Sequence, residues 1–350
     1  MADNISSLEK RLGTVSEAEI LKYSQGQGLV EAKETFSNMS RDTTAFSKAG
    51  RLMQGGKKPY LLGSSTKLEH NDASGLSKVL GSRQLIQYMQ PANASKIPGC
   101  NTCGSNTKGC TSACLGGSGQ LGLASGEIAK EARTAMAWHE PGKYLALLNN
   151  EVGRREKSIV NEGRIPVMRL NGTSDIGWHR IAAGAVILGG HPGVEFSEYT
   201  KFNTGDVVEK EDPNEYPNYH WIHSVTERTS TARIKQITET ETRSGGRRNV
   251  AVPFNLKKGD PVPDVTKLTD RSGASISLPV VKEGGKSVGD LHDMRVRDPQ
   301  VGGAVVLRAK EVTKEGKRGV FDTTGFIRPM ESPVETPVTM RGSRRGAAGF

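Results

Sequence analysis

The chain has 350 residues, enough for one large domain or about two of ordinary size. Apolar residues make up 35% and Gly contributes 42 positions, well above the usual share of ~7%, so the expected core is lean and the connections long. No apolar run nears the ~20 residues that span a bilayer, and Met1 to Asn4 open no basic-then-apolar leader, which predicts a soluble, cytoplasmic protein without membrane contact.

Lys and Arg exceed Asp and Glu by 48 to 38, a net charge of +10. Such an excess suits a polyanion, because each neutralised phosphate releases condensed counterions. Nucleic acid is therefore the partner that composition favours.

Residues 1–75 are polar and poor in large apolar side chains. They read as a partly irregular extension, with a short helix-like stretch at Ser6 to Glu9. Residues 76–328 read as an α/β core. Gly126 to Trp138 and Gly142 to Val160 carry apolar residues at helical spacing. Five short β-like segments follow: Ile165–Leu170, Val194–Tyr199, Tyr219–His223, Asn249–Phe254 and Ala304–Arg308. Helix-like sequence fills two of the intervals, at Gly177 to Leu188 and Thr226 to Thr242. Strands alternating with helical stretches predict repeated βα units, as an open parallel sheet or an incomplete, partial TIM-like barrel. A hairpin is expected within 255–300, from Val262–Val265 and Ile276–Val281, and residues 329–350 read as a flexible basic tail.

All four cysteines lie within fifteen positions, at Cys100, Cys103, Cys110 and Cys114. Disulfides suit a cytoplasmic chain poorly. The pairs Cys100-x2-Cys103 and Cys110-x3-Cys114 suit a metal, either zinc or an iron–sulfur cluster, and redox-active thiols are a further reading. The glycine run after them, with Gly116, Gly117 and Gly119, would let backbone amides approach a cofactor or anion.

In α/β proteins, sites form at the carboxyl ends of strands. There the sequence places Asn171 to Asp175, Lys201, Ser224 and Glu227, with Gly289 to Asp298 before the last strand. Each also suits ordinary turn or capping chemistry. Asp290, His292 and Asp293 could hold a cation but read more simply as a solvated turn. His220 and His223 fall on opposite faces of a strand and are not joint ligands. No phosphate loop or nucleophile elbow is present.

Several motifs in fixed order resemble a family of bacteriophage and mobile-element proteins. These are Cys103-x6-Cys110-x3-Cys114-Leu115, Ala132 to Thr134, Arg169 to Asp175, Tyr199 to Lys201, Asn218 to His220 with Ser224, and Asn249 to Val252. That family in turn resembles radical-SAM-type partial barrels. The resemblance implies a [4Fe–4S] cluster on Cys103, Cys110 and Cys114, with one iron open to S-adenosylmethionine. Ser174, Asp175, Lys201 and Ser224 would line the bowl, and the chain would work in the bacterial host's cytoplasm. The spacing departs from the usual Cys-x3-Cys-x2-Cys, and Cys100 is an addition that could supply a fourth ligand and close the site. The leading expectation is an iron–sulfur enzyme acting on nucleic acid or a nucleotide, with Asp175, Lys201 and Asp293 positioning substrate. The alternative is a non-enzymatic nucleic-acid binder with structural zinc, and a host protein is a further candidate partner.

Overall fold

A computed structural model describes residues 5–42, 60–64, 81–201, 216–242, 245–257, 259–291, 295–310, 312–314, 317–320 and 322–330. The chain opens with three helices, α1 (Ser7–Leu12), α2 (Glu17–Tyr23) and α3 (Gly26–Asp42). Ser6 and Ser16 cap the first two, their hydroxyls accepting from the Glu9 and Glu19 amides. The stretch read as irregular thus holds regular structure. Leu8, Leu12, Ile20, Ala32 and Phe36 are buried in the main core.

The strands β1 (Leu62–Ser64), β2 (Ser82–Gln87), β3 (Ile165–Arg169), β4 (Glu195–Thr200), β5 (Tyr219–Ser224) and β6 (Val250–Phe254) build the sheet, with β11 (Ala304–Arg308) added at its far edge. The spatial order is β1-β2-β3-β4-β5-β6-β11. β1 runs antiparallel to β2, and every other pairing is parallel. The sheet is open, so of the two expected forms the barrel does not close.

Because the strand order never reverses, right-handed crossovers return on the same face each time. Helices α4 (Lys108–Ser112), α5 (Ala124–His139) and α6 (Pro141–Asn161) lie between β2 and β3, and α7 (Thr231–Glu239) between β5 and β6. α5 and α6 pack on Met168, Leu170, Phe196 and Tyr219, while Ile234 and Ile237 of α7 pack on Val250, Val252 and Phe254. The register pairs Phe196 with Tyr219 and His223 with Val250, which puts these residues on one face. On the opposite face Tyr199, Ile222, Ala251 and Val305 meet Val281 and Val288.

The insertion between β6 and β11 supplies that cover. It contains the hairpins β7 (Val265–Thr269) with β8 (Ser275–Pro279) and β9 (Lys282–Glu283) with β10 (Lys286–Ser287), then the short α8 (Val288–Leu291). The expected hairpin is present, with its first strand a few residues later than read. A last hairpin, β12 (Val312–Lys314) with β13 (Lys317–Gly319), runs beside the 115–122 turns. The interval Gly177 to Leu188, read as helix, forms a 3-10 turn and a π-turn, consistent with its glycines at 177 and 184 and the pair that follows at 189 and 190. Residues 331–350, read as a basic tail, lie outside the described residues.

Candidate thiol site at the carboxyl edge of the sheet

The cysteines sit in the long connection that leaves β2. Thr102 ties this connection down: its hydroxyl donates to the Gln90 carbonyl at 2.6 Å and its carbonyl accepts from the Asp175 amide at 3.0 Å. Cys103 thereby bridges alongside Asp175, the residue that closes the loop after β3. Its thiol contacts the Thr173 carbonyl at 3.6 Å. Ala92, whose backbone amide faces Cys103, adopts a φ of 45°, the one non-glycine residue in the left-handed region among those described. A strained residue held against a cysteine is a local signature that composition does not reveal.

Cys110 rides on α4, whose cap Thr107 accepts from the Cys110 amide at 3.1 Å. The Thr107 hydroxyl donates to Glu227 at 2.7 Å, and the Gly109 amide reaches the same carboxylate at 3.3 Å. Glu227, beyond the end of β5, therefore anchors the helix that carries Cys110. Cys114 accepts from the Gly116 amide at 3.5 Å. The Gly116 carbonyl is held by Lys130 of α5, a lysine only 1% exposed that also pairs with Glu127 at 2.6 Å. Gly116 packs on Pro91, and Gly117 lies against Gly122. The glycine run is thus folded onto its own neighbours and onto a cysteine.

Lys201 follows β4 directly. Its amide donates to Asp175 Oδ2 at 3.0 Å. Burial alone would lower its ammonium pKa, but Cys110, Asp175, Cys103 and Cys114 surround it and raise it overall. Three thiols and a carboxylate thus lie within electrostatic reach of one cation. Burial pushes the Cys103 thiol up to about 12 and raises Cys114 as well. Held protonated, Cys103 and Cys114 are poor nucleophiles at neutral pH. Asp175 is 1% exposed, and burial raises its pKa against the pull of Lys201. Its Oδ1 accepts no hydrogen bond among the described residues.

Cys100 goes elsewhere. It is buried in the main apolar core, where burial and then Glu131 push its thiol up to about 11. Ser174 donates to Asn171 at 2.9 Å inside the turn after β3, and Ser224 is buried at the end of β5. Asp293 lies outside the described residues. His220 bonds Glu195 at 2.7 Å. His223 is buried at the end of β5 with Nε2 unpartnered among the described residues, and burial, Arg233 and Lys201 hold its pKa down to about 3.

Glu198 was not singled out by its sequence pattern, although its place inside an apolar strand was the available signal. Fully buried, it accepts from the Leu170 and Asn171 amides at 2.6 and 2.9 Å and so shapes the loop that ends in Asp175. Burial pushes its pKa up to about 8, against Arg169 and the two amides and with Asp175 adding to the rise. A carboxyl raised on folding binds its proton more tightly in the native state, so stability is greatest below the unfolded value near 4.5 and falls as pH rises towards 8. We expect urea unfolding to show this loss, with a limiting slope of about 1.4 kcal/mol per pH unit. Glu198→Gln should flatten it; an equally steep profile in that variant would assign the loss to another group.

Among the described residues no helix is long and apolar enough to cross a membrane. Fold and site together define a singly wound, mostly parallel α/β protein with three cysteines, Asp175 and Lys201 in the loops at the carboxyl edge of its sheet. Residues 60–323 match the profile of the gene product 88 family, and the chain belongs to that family. The match agrees with the phage-type family expected from the motifs. No curated protein and no solved structure matches the chain.

Proposed function

We propose that this protein is an iron–sulfur enzyme of radical-SAM-like type, in which Cys103, Cys110 and Cys114 hold a [4Fe–4S] cluster and the substrate is a nucleic acid or a nucleotide. The observation that carries the reading is the division of the four cysteines: Cys103 bridges beside Asp175, Cys110 rides on α4 with Cys114 just after it, all three within electrostatic reach of Lys201, and the fourth is committed to the core. A donor set of three thiols leaves one iron of such a cluster without a protein ligand. Among the described residues no three His, Cys, Asp or Glu side chains are grouped as metal ligands, so the three thiols must draw together to hold either group; they would have to close further for a single zinc ion, with its Zn–S bonds of about 2.3 Å, than for a larger cluster.

A cluster with an open iron supplies an electron and a coordination position. The chain's own residues do the rest. Lys201 offsets the negative charge of the thiolates, and Asp175, beside Cys103, offers a buried carboxyl to a donor on a bound molecule. Gly116 donates to the Cys114 sulfur while Lys130 holds its carbonyl, and hydrogen bonds to ligand sulfur are among the determinants of cluster potential. The net charge of +10 supports the substrate class.

Iron and sulfide analysis on protein prepared without oxygen tests this. We expect about four irons with matching sulfide per chain, lost in Cys103→Ala, Cys110→Ala and Cys114→Ala and kept in Cys100→Ala. One zinc without iron, or a folded wild-type chain that takes up no iron on reconstitution, would overturn it.

A further inference from the structure

The outer surface of α6 carries a second feature, separate from the thiols. Tyr60 is 40% exposed, yet its backbone is pinned. Arg133 donates to its carbonyl from Nε at 3.2 Å and Nη2 at 2.9 Å, and Glu151 accepts from the Leu61 and Leu62 amides at 2.8 and 3.3 Å. Two charged side chains thus hold one exposed aromatic residue in place. The guanidinium carbons of Arg154 and Arg155 lie 5.4 and 4.8 Å from the ring centroid. Arg154 also borders a cleft of about 380 Å³ with Asn149, Asn150, Lys157 and His191.

The nearby carboxylates are already engaged. Glu151 serves the two amides and lies 3.8 Å from Arg155, and Glu156 bonds His191 at 2.9 Å. Arg154 and Lys157 form no ion pair with a carboxylate among the described residues. Asn150, Arg154 and Lys157 recur one helical turn apart, so amide, guanidinium and ammonium share one stripe. A fixed, accessible aromatic ring beside unpaired cations is the combination that grips single strands, the ring stacking on a base and the cations meeting phosphates.

We propose that Tyr60 and the Asn150–Arg154–Lys157 stripe of α6 form a binding site for single-stranded nucleic acid. The site shares only its ligand class with the reading above, and it stands whether or not the cysteines hold iron.

Fluorescence anisotropy of a labelled oligothymidylate, titrated with the full chain at several salt concentrations, is the test. The wild type should bind with an affinity that falls as salt rises. The double variant Arg154→Glu, Lys157→Glu should lose about tenfold or more, and its log–log salt slope should be shallower by about 0.7 for each phosphate contact removed. Tyr60→Ala should weaken binding by roughly tenfold at unchanged slope, while Tyr60→Phe, which keeps ring and backbone anchor, retains it. Lys235→Glu, an exposed lysine on α7 paired with Glu239, should leave binding unchanged. Absence of wild-type binding, wild-type affinity in the double variant, an equal loss in Lys235→Glu or in Tyr60→Phe, or preference for duplex would each overturn the proposal.

Discussion

Leu12→Ala is expected to lower the unfolding free energy of the domain by about 2–5 kcal/mol, the range for truncating a buried leucine. Leu12 is fully buried and shares one core with Met136, Ala137, Tyr144 and Leu148 of α5 and α6. A second link runs through the neighbouring turn: Glu9 accepts from the Gly177 amide at 3.1 Å and pairs with Arg180 at 2.9 Å, just beyond the loop that ends in Asp175. The opening helices are therefore part of the structure that positions the site. Urea unfolding should show one transition with its midpoint shifted down and its slope unchanged. A midpoint equal to wild type, or a separate minor transition carrying the whole effect, would make these helices an appendage.

Gly109→Ala should be a strongly damaging single-methyl addition near the site. A Cβ there would stand 2.2 Å from Thr324 Oγ1, 2.4 Å from Phe326 Cβ and 3.0 Å from Glu227 Oε2. The segment 322–328 is tied to β6, the Arg328 amide donating to the Pro253 carbonyl and its carbonyl accepting from the Asn255 amide, so it cannot swing away freely. Either it or α4 must move, at about 1–3 kcal/mol for overpacking. Moving α4 also loosens the Thr107–Glu227 bond that orients Cys110. Gly63→Ala is the control, since its new methyl would meet nothing closer than the Ile86 carbonyl at 3.8 Å. Equal denaturation midpoints for the two variants would show that the packing at Gly109 is slack.

Much of the sheet was legible because local pattern and final burial agree. β3, β4, β5, β6 and β11 fall where alternating or continuous apolar runs place them, and α5 and α6 where apolar residues recur at helical spacing. β2 was missed because its buried set includes Ser82, Gln84 and Gln87, polar residues at positions where the period of a strand asks for apolar ones. Of the opening helices only the start of α1, at Ser6 to Glu9, is legible in the pattern, for a related reason. Their buried leucines and isoleucine are too sparse to show a period, although Ser6 with Glu9 and Ser16 with Glu19 carry the capping pattern that marks a helix start.

The site divides in the same way. The clustering of the cysteines and the polar residues after β3 and β4 stand in the sequence, since motif spacing and strand ends are local properties. Nothing in the spacing of Cys100, Cys103, Cys110 and Cys114 says which thiol enters the core. Nor does it show that a glycine amide is spent on a sulfur, that a buried lysine holds that glycine, or that Glu198 within β4 and Glu227 beyond β5 anchor the loops. Sequence alone carried the period of β3 to β6, β11, α5 and α6, the presence of a thiol cluster and an excess of positive charge. Tertiary packing decided which thiol enters the core and which charges are buried, because burial and its electrostatic cost depend on neighbours far away along the chain, 120 positions in the case of Thr107 and Glu227 and 168 in that of Glu9 and Gly177.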